Sequence, residues 1–269
     1  MEHLVRWLTA ALLLIPAFYL LVPWLVYGTQ RMNGDPEIVP LDMSKTLPKK
    51  VTKYLRETSR DLGSLGYESH PCLALPNPMP NVIAVVQLWI HPHRQDAALV
   101  SMIFGIDPQA NTSLSLFYTE FLSRFDDATV SLIQTNNTGQ LGAFAELPEE
   151  LTFRFPMVTD ITQLDRIHQK LAQQHAPRAR KLIALYDLYE GNLLKYIRGV
   201  LVDSYRKQEG TGYLQYSENR NQWRPTVWGA MLMTWSQLWP MTTVQHARIR
   251  RNAQQLLDEL GETIETTSA

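Results

Sequence analysis

The sequence predicts an α+β protein: an N-terminal transmembrane helix followed by an antiparallel β-meander packed with helices and a helical C-terminal part. Three observations lead there. Residues 7–27, WLTAALLLIPAFYLLVPWLVY, carry no charge, and about 21 residues rising 1.5 Å each cover a hydrocarbon core of roughly 30 Å. Four segments rich in β-branched and aromatic side chains then follow one another across short turns. Stretches with apolar residues three and four apart flank them on both sides.

The bulk properties narrow the field. A chain of 269 residues is long enough for one sizeable core. Its formal net charge of −1 offers phosphates no electrostatic footprint, which argues against nucleic acid as a partner. Cys72 is the only cysteine, so no intrachain disulfide exists.

Residues 1–28 read as a membrane anchor carried by Trp7, Leu13, Phe18, Trp24 and Tyr27. Rings near the two ends suit the headgroup level, and Pro16 and Pro23 are tolerated in membrane helices better than in soluble ones. A cleaved signal peptide is the rival reading. It needs a shorter apolar run and a small-x-small cleavage site, and VYGTQRMNG is a poor match. The segment is therefore expected to be an uncleaved signal-anchor of a single-pass protein. Arg6 and the free amino group precede the helix, and Arg31 and, further on, Lys45, Lys49, Lys50 and Lys53 follow it, so the count favours neither side clearly; Arg6 abutting the helix tips the reading to the N-terminus inside and the main domain on the extracytoplasmic side.

Residues 29–45, with Pro36 and Pro40, form a linker. A domain of one helix and an antiparallel sheet is expected over 46–175. Its helix begins at Thr46 and Pro48, buries Val51, Leu55, Thr58, Leu62 and Leu65, and stops at Gly63 or Gly66. Strands are expected over 81–91, 98–106, 113–125 and 129–136. Their connections are short, and short connections join antiparallel neighbours because a parallel crossover takes a dozen residues or more. LGAFAEL and LTFRF are candidate further strands. Alternation of Ser113, Ser115 and Phe117 with Leu114, Leu116 and Tyr118 suggests a sheet with one polar face and a helix on the other. Asp160 and Gln163 form the start signal of a helix over 160–175.

Residues 176–222 are a helical extension, read as a hairpin or a bent helix that ends at EGTGY. Residues 223–261 hold a tryptophan-rich segment and a closing helix, and 262–269 a tail. No charge occurs from Pro225 to Gln245. Trp228, Met231, Trp235 and Leu238 form one helical stripe, while Thr226, Thr234, Ser236, Gln237 and Pro240 make the stretch far more polar than the first. Trp228, Trp235 and Trp239 are expected to pack on the protein or lie in the membrane interface, a second span being the alternative.

Chemistry is sparsely signalled. His70 with Cys72, and His91 with His93, stand two apart, and in an extended chain such pairs point to one side. If the two segments pair, four zinc ligands meet. Against this, His-Pro dipeptides are ordinary turn and strand-end material, and no known zinc spacing is matched. Glu120, Asp126, Asn136 and Asn137 fall near adjacent hairpins and are candidates for a polar groove, or simply hold turns together. Asn111 and Asn136 begin glycosylation sequons. His168 reads as a histidine satisfied by a neighbour rather than a base. No nucleophile or nucleotide motif appears. The expectation is a membrane-anchored protein of binding or scaffolding role, with the bilayer and a membrane protein complex as partners and no cofactor. A membrane-bound metal-dependent enzyme using His70, Cys72, His91 and His93 is the alternative.

Overall fold

A computed structural model describes residues 17–41, 48–106 and 112–264. Trp7, Leu13, Thr46 and the Asn111 sequon lie outside them. The fold is α+β with a mixed sheet, and the chain divides into two compact units.

Unit 2 comprises residues 36–140, 146–200 and 246–269. Its sheet has the order β2 (Val39–Pro40), β3 (Glu68–Leu75), β4 (Val82–His91), β5 (Asp96–Ile106), β6 (Thr112–Phe125), β7 (Leu132–Asn136) and β8 (Glu150–Arg154). A two-residue β9 (Lys181–Leu182) also pairs with β6. The meander from β3 to β7 is antiparallel, as the short turns require. β8 departs from the expectation by running parallel to β7. The reason lies in the connection: residues 137–149 are long enough to carry the chain back, and LGAFAEL is part of that crossover, not a strand.

Both faces of the sheet are covered, not one. On the first, Ala98, Val100 and Met102 of β5 pack against Val51, Leu55 and Leu62 of α2 (Lys49–Ser64) and against Leu164, Ile167 and Leu171 of α3 (Ile161–His175). On the second, Leu88, Ile90 and Leu99 meet Leu185 of α4 (Ala184–Asp187) and Tyr196 of α5 (Leu193–Gly210). Double coverage explains why NVIAVVQLWIH reads as a continuous apolar run instead of an alternating one. The simple alternation expected for β6 also fails. Ile103 faces Leu116 while Phe104 faces Leu114, so Ser115 is the extra residue of a bulge and the core-facing parity changes there.

The helix signals have clear physical counterparts. Pro48 is the N-cap of α2, and Gly66, at φ +88°, follows its end. Asp160 caps α3 by accepting from the Gln163 N–H at 2.6 Å. The Gln163 side chain does not close a capping box; it donates to the carbonyl of Thr263. The expected hairpin over 180–208 is instead β9, one turn of α4, a left-handed pair at Glu190 and Gly191, and then α5.

Unit 1 comprises residues 1–35, 141–145 and 201–245. It holds α1 (residues 17–29), the sheet β1 (Met32–Asn33), β11 (Gln222–Pro225), β10 (Leu214–Ser217), and α6 (Val227–Trp235). Its small core is Met32, Tyr205, Leu214 and Trp223. α7 (Met241–Glu259) starts here, and its later turns belong to unit 2. Among the described residues no helix is long and apolar enough to cross a membrane; the described residues hold only the second half of the uncharged run.

Candidate functional site

His70, Cys72, His91 and His93 lie on or beside the paired strands β3 and β4. Ser69 lies opposite Trp89 but Cys72 lies opposite Gln87, so the strand bulges between them, where Pro71 has no N–H to give the ladder. The bulge removes the i, i+2 relation between His70 and Cys72. His70 sits against the Tyr186 ring, while Cys72 is buried in the core. Burial pushes the Cys72 thiol up to about 11, far from the thiolate that zinc binds. His91 ends β4, its ring 6.2 Å from that of His93, and its Nδ1 accepts from the Arg94 N–H at 3.2 Å. Burial lowers the His70 and His91 imidazoles. Among the described residues no three His, Cys, Asp or Glu side chains converge on a metal position.

The polar chemistry gathers elsewhere, beneath α3. Asp96 at the start of β5, Ser123 on β6 and Thr135 on β7 share the core-facing parity of their strands, and α3 lowers His168, Asp165 and Gln169 onto them. Ser123 Oγ lies 2.6 Å from Asp96 Oδ1 and 2.9 Å from His168 Nε2. His168 Nδ1 lies 3.0 Å from Thr135 Oγ1. A carboxylate only accepts, so Ser123 gives its single proton to Asp96 and accepts from His168 Nε2–H. Nδ1 then accepts from Thr135. Gln169 donates to Asp96 Oδ2 at 2.7 Å, and Lys181 from β9 donates to Oδ1. Beside them Arg94 grips Asp165 with two bonds of 2.9 and 3.0 Å, and Tyr67 donates to the same carboxylate at 2.8 Å.

Burial drives the His168 imidazole down to about 4, against the pull of Asp96, so it is neutral near pH 7. Burial works against the Asp96 charge, but His168, Lys181 and the bond from Ser123 hold its carboxyl below the usual range. The order of groups is aspartate, serine, histidine. In an acyl-transfer triad the histidine stands in the middle and takes the serine proton. Here that proton is committed to Asp96 and the free imidazole lone pair to Thr135. The cluster is a closed lock joining α3 to four strands, and it leaves no base poised for catalysis.

Glu120 and Asn136 meet across β6 and β7 on the opposite face, Asn136 Nδ2 donating to Glu120 Oε1 at 3.0 Å. Burial raises the Glu120 carboxyl. Asn136 is buried, so its sequon is closed in the folded chain. Asn137 turns the other way and accepts from the Thr119 N–H, the Asp126 N–H donates to the Arg180 carbonyl, and the neighbouring Asp127 carboxylate holds the β6–β7 turn.

Unit 2 carries an open cleft of about 320 Å³. Phe117 and Pro156 give it apolar walls, Asn137 and residues 138–140 polar ones, and His246 and Arg250 reach over it from α7. Its size is at the lower end of the range for small-ligand sites. In unit 1, Trp235 is half-buried against α1, whereas Trp228 and Trp239 are among the most exposed large side chains.

Sequence reasoning singled out His168 but not its partners. Their signal was present: Asp96 stands in step with Ala98, Val100 and Met102, and Ser123 with Phe121 and Phe125. A polar residue in the core-facing step of a strand needs a buried partner. These features define an α+β protein with a mixed sheet, a locked polar interior and an apolar outer surface on its smaller unit. Comparison with protein-family models, curated proteins and solved structures finds no match, so function is read from geometry alone.

Proposed function

We propose that this is a membrane-anchored binding protein without catalytic activity. The observation that carries it is the outer face of α1, where Phe18, Leu20, Leu21, Trp24 and Leu25 are each more than half exposed within eight positions. A patch of that kind calls for an apolar partner, and the uncharged residues 7–16 extend it to the length of a bilayer. α1 is then the second half of a single-pass anchor. Arg31 closes its end by donating to the carbonyls of Tyr27, Gly28 and Gln30 at the headgroup level. Unit 2 is the ligand-bearing part, on the extracytoplasmic side, and the cleft under Arg250 suits a small molecule with an anionic group. A membrane protein complex is the natural setting for such a module.

Alkaline carbonate extraction tests the anchor. The full chain is expected to stay with the membrane, and a variant lacking residues 1–28 to move to the supernatant. Release of the full chain would overturn the reading. A reporter fused after residue 269 should be active on the extracytoplasmic side.

A further inference from the structure

We infer that α6, the turn after it and the first turn of α7 form a re-entrant hairpin that dips into one leaflet of the bilayer beside α1 and leaves on the side it entered. The inference rests on the membrane anchoring of α1. Its occupant is lipid, acyl chains around the hairpin and headgroups at its two ends.

Four observations carry it. The first is length. α6 has nine residues, about 14 Å of helix and half of the roughly 30 Å hydrocarbon core, so it reaches the middle of a bilayer and no further.

The second is its path along α1. At the start of α6 the Arg224 guanidinium lies 5.9 Å from the centre of the Tyr27 ring, at the end of α1. At the other end Trp235 Nε1 donates to the Tyr19 carbonyl at 2.8 Å, and the Tyr19 hydroxyl donates to the Trp239 carbonyl at 3.0 Å. Tyr19 and Tyr27 are eight residues apart, about 12 Å along the helix. α6 therefore runs down α1 from its headgroup end toward its interior.

The third is the bond that Trp235 makes. In an α-helix the Tyr19 carbonyl receives the N–H of the residue four further on, which is Pro23, and proline has none. An orphan carbonyl at that depth is costly in lipid, where no water replaces the bond. The Trp235 indole supplies it.

The fourth concerns polarity, the feature that argued against membrane residence in the sequence. Thr226 caps α6 through the Gly229 N–H and donates to the Gly212 carbonyl. Thr234 donates to the Ala230 carbonyl, Ser236 to that of Met233, and Gln237 to that of Leu141. Each of these polar groups has a carbonyl partner on the protein. The large apolar side chains that face outward are Val227, Trp228, Trp239, Met241 and Val244, with Gln237 and Thr243 exposed among them. The uncharged stretch is bracketed by Arg224 and Arg248, cations placed for phosphate headgroups at the two ends of a dip.

The test is thiol labelling of the full chain in sealed vesicles with a membrane-impermeant maleimide. Native Cys72 is buried, so the unmodified protein is the blank. Arg220→Cys and Arg251→Cys should label from the same side of the vesicle. Trp239→Cys and Val244→Cys should be protected from both sides and become reactive on detergent addition, a gain of at least tenfold in rate. Labelling of positions 220 and 251 from opposite sides would overturn the hairpin in favour of a second span. Labelling of both 239 and 244 in intact vesicles, with the chain still resistant to carbonate, would overturn it while leaving the anchor standing. Loss of the chain to carbonate would remove the anchor first and the hairpin with it.

Discussion

In unit 2 the apolar side chains of α2, α3 and α7 close over one face of a sheet, and charged groups are drawn inside that face and paired. In unit 1 a core of four large residues supports a helix whose aliphatic and aromatic side chains point outward. Unit 2 buries most of its large apolar side chains, with Tyr186 and Leu188 left exposed, and commits polar chemistry to a buried lock. Unit 1 displays apolar surface and turns Thr226, Thr234 and Ser236 onto backbone carbonyls. The two follow the same rule, that a polar group away from water must be hydrogen-bonded. Trp89 is the sole tryptophan of unit 2, and the other six belong to the segments of unit 1, so intrinsic fluorescence distinguishes the units.

Breaking the lock should have the largest effect. Asp96→Ala strands the buried ends of Lys181 and Gln169, and is expected to cost about 3–5 kcal/mol in urea unfolding followed by far-ultraviolet circular dichroism. Carbonate resistance should be unchanged. A loss below about 1 kcal/mol would mean that Lys181 reaches water at little cost and that the lock is not the keystone of unit 2.

The next effect is a pH dependence. The His168 imidazole falls from an ordinary 6.5 to about 4 on folding. The unfolded chain therefore takes up that proton first as pH falls, and stability declines between about pH 6.5 and 4. Roughly 2.5 pH units at about 1.36 kcal/mol each amount to about 3 kcal/mol. Unfolding free energies across this range should show the slope, and His168→Gln should flatten it. A slope that survives the substitution assigns the effect to another group.

Gly229→Ala sharpens the comparison from the opposite side. A Cβ there collides with the Tyr213 carbonyl oxygen, where α6 lies against the backbone of unit 1. Overpacking of this kind costs about 1–3 kcal/mol. The expected readout is a shift of tryptophan emission at unchanged far-ultraviolet signal from the sheet. An emission spectrum identical to that of the unsubstituted chain would show that α6 is loosely held.

The smallest effect belongs to Asp160→Ala. Losing the N-cap of α3 should lower stability by about 1 kcal/mol, with Asp160→Asn restoring most of it. If the alanine and asparagine variants match, the cap bond contributes nothing.

Much of the architecture was legible because it rests on local patterns. The turn chemistry between residues 91 and 132 announced antiparallel neighbours, and β4 to β7 are those neighbours. Asp160 announced the start of α3. β3 was not legible, since its His-Pro pair reads as a turn, and only pairing with β4 accommodates Pro71 in a bulge. The partners of His168 were equally hidden. They come from residues 96, 123, 135 and 181, and nothing local to any of them states which others it meets.

By itself the sequence determined the α+β class, the strands of the meander, the capped helices and an N-terminal stretch as apolar as lipid. These depend on periodicity, turn residues and hydropathy, which act over a few residues. The tertiary structure alone decided that β8 runs parallel, that both sheet faces are covered and that β3 bulges between Ser69 and Cys72. It also decided that Thr226, Thr234 and Ser236 of the tryptophan-rich stretch give their hydroxyls to carbonyls and that Trp235 mends the carbonyl that Pro23 leaves open. Those outcomes depend on which distant segments meet, and a hydrogen bond 216 residues apart in the chain leaves no periodic trace in it.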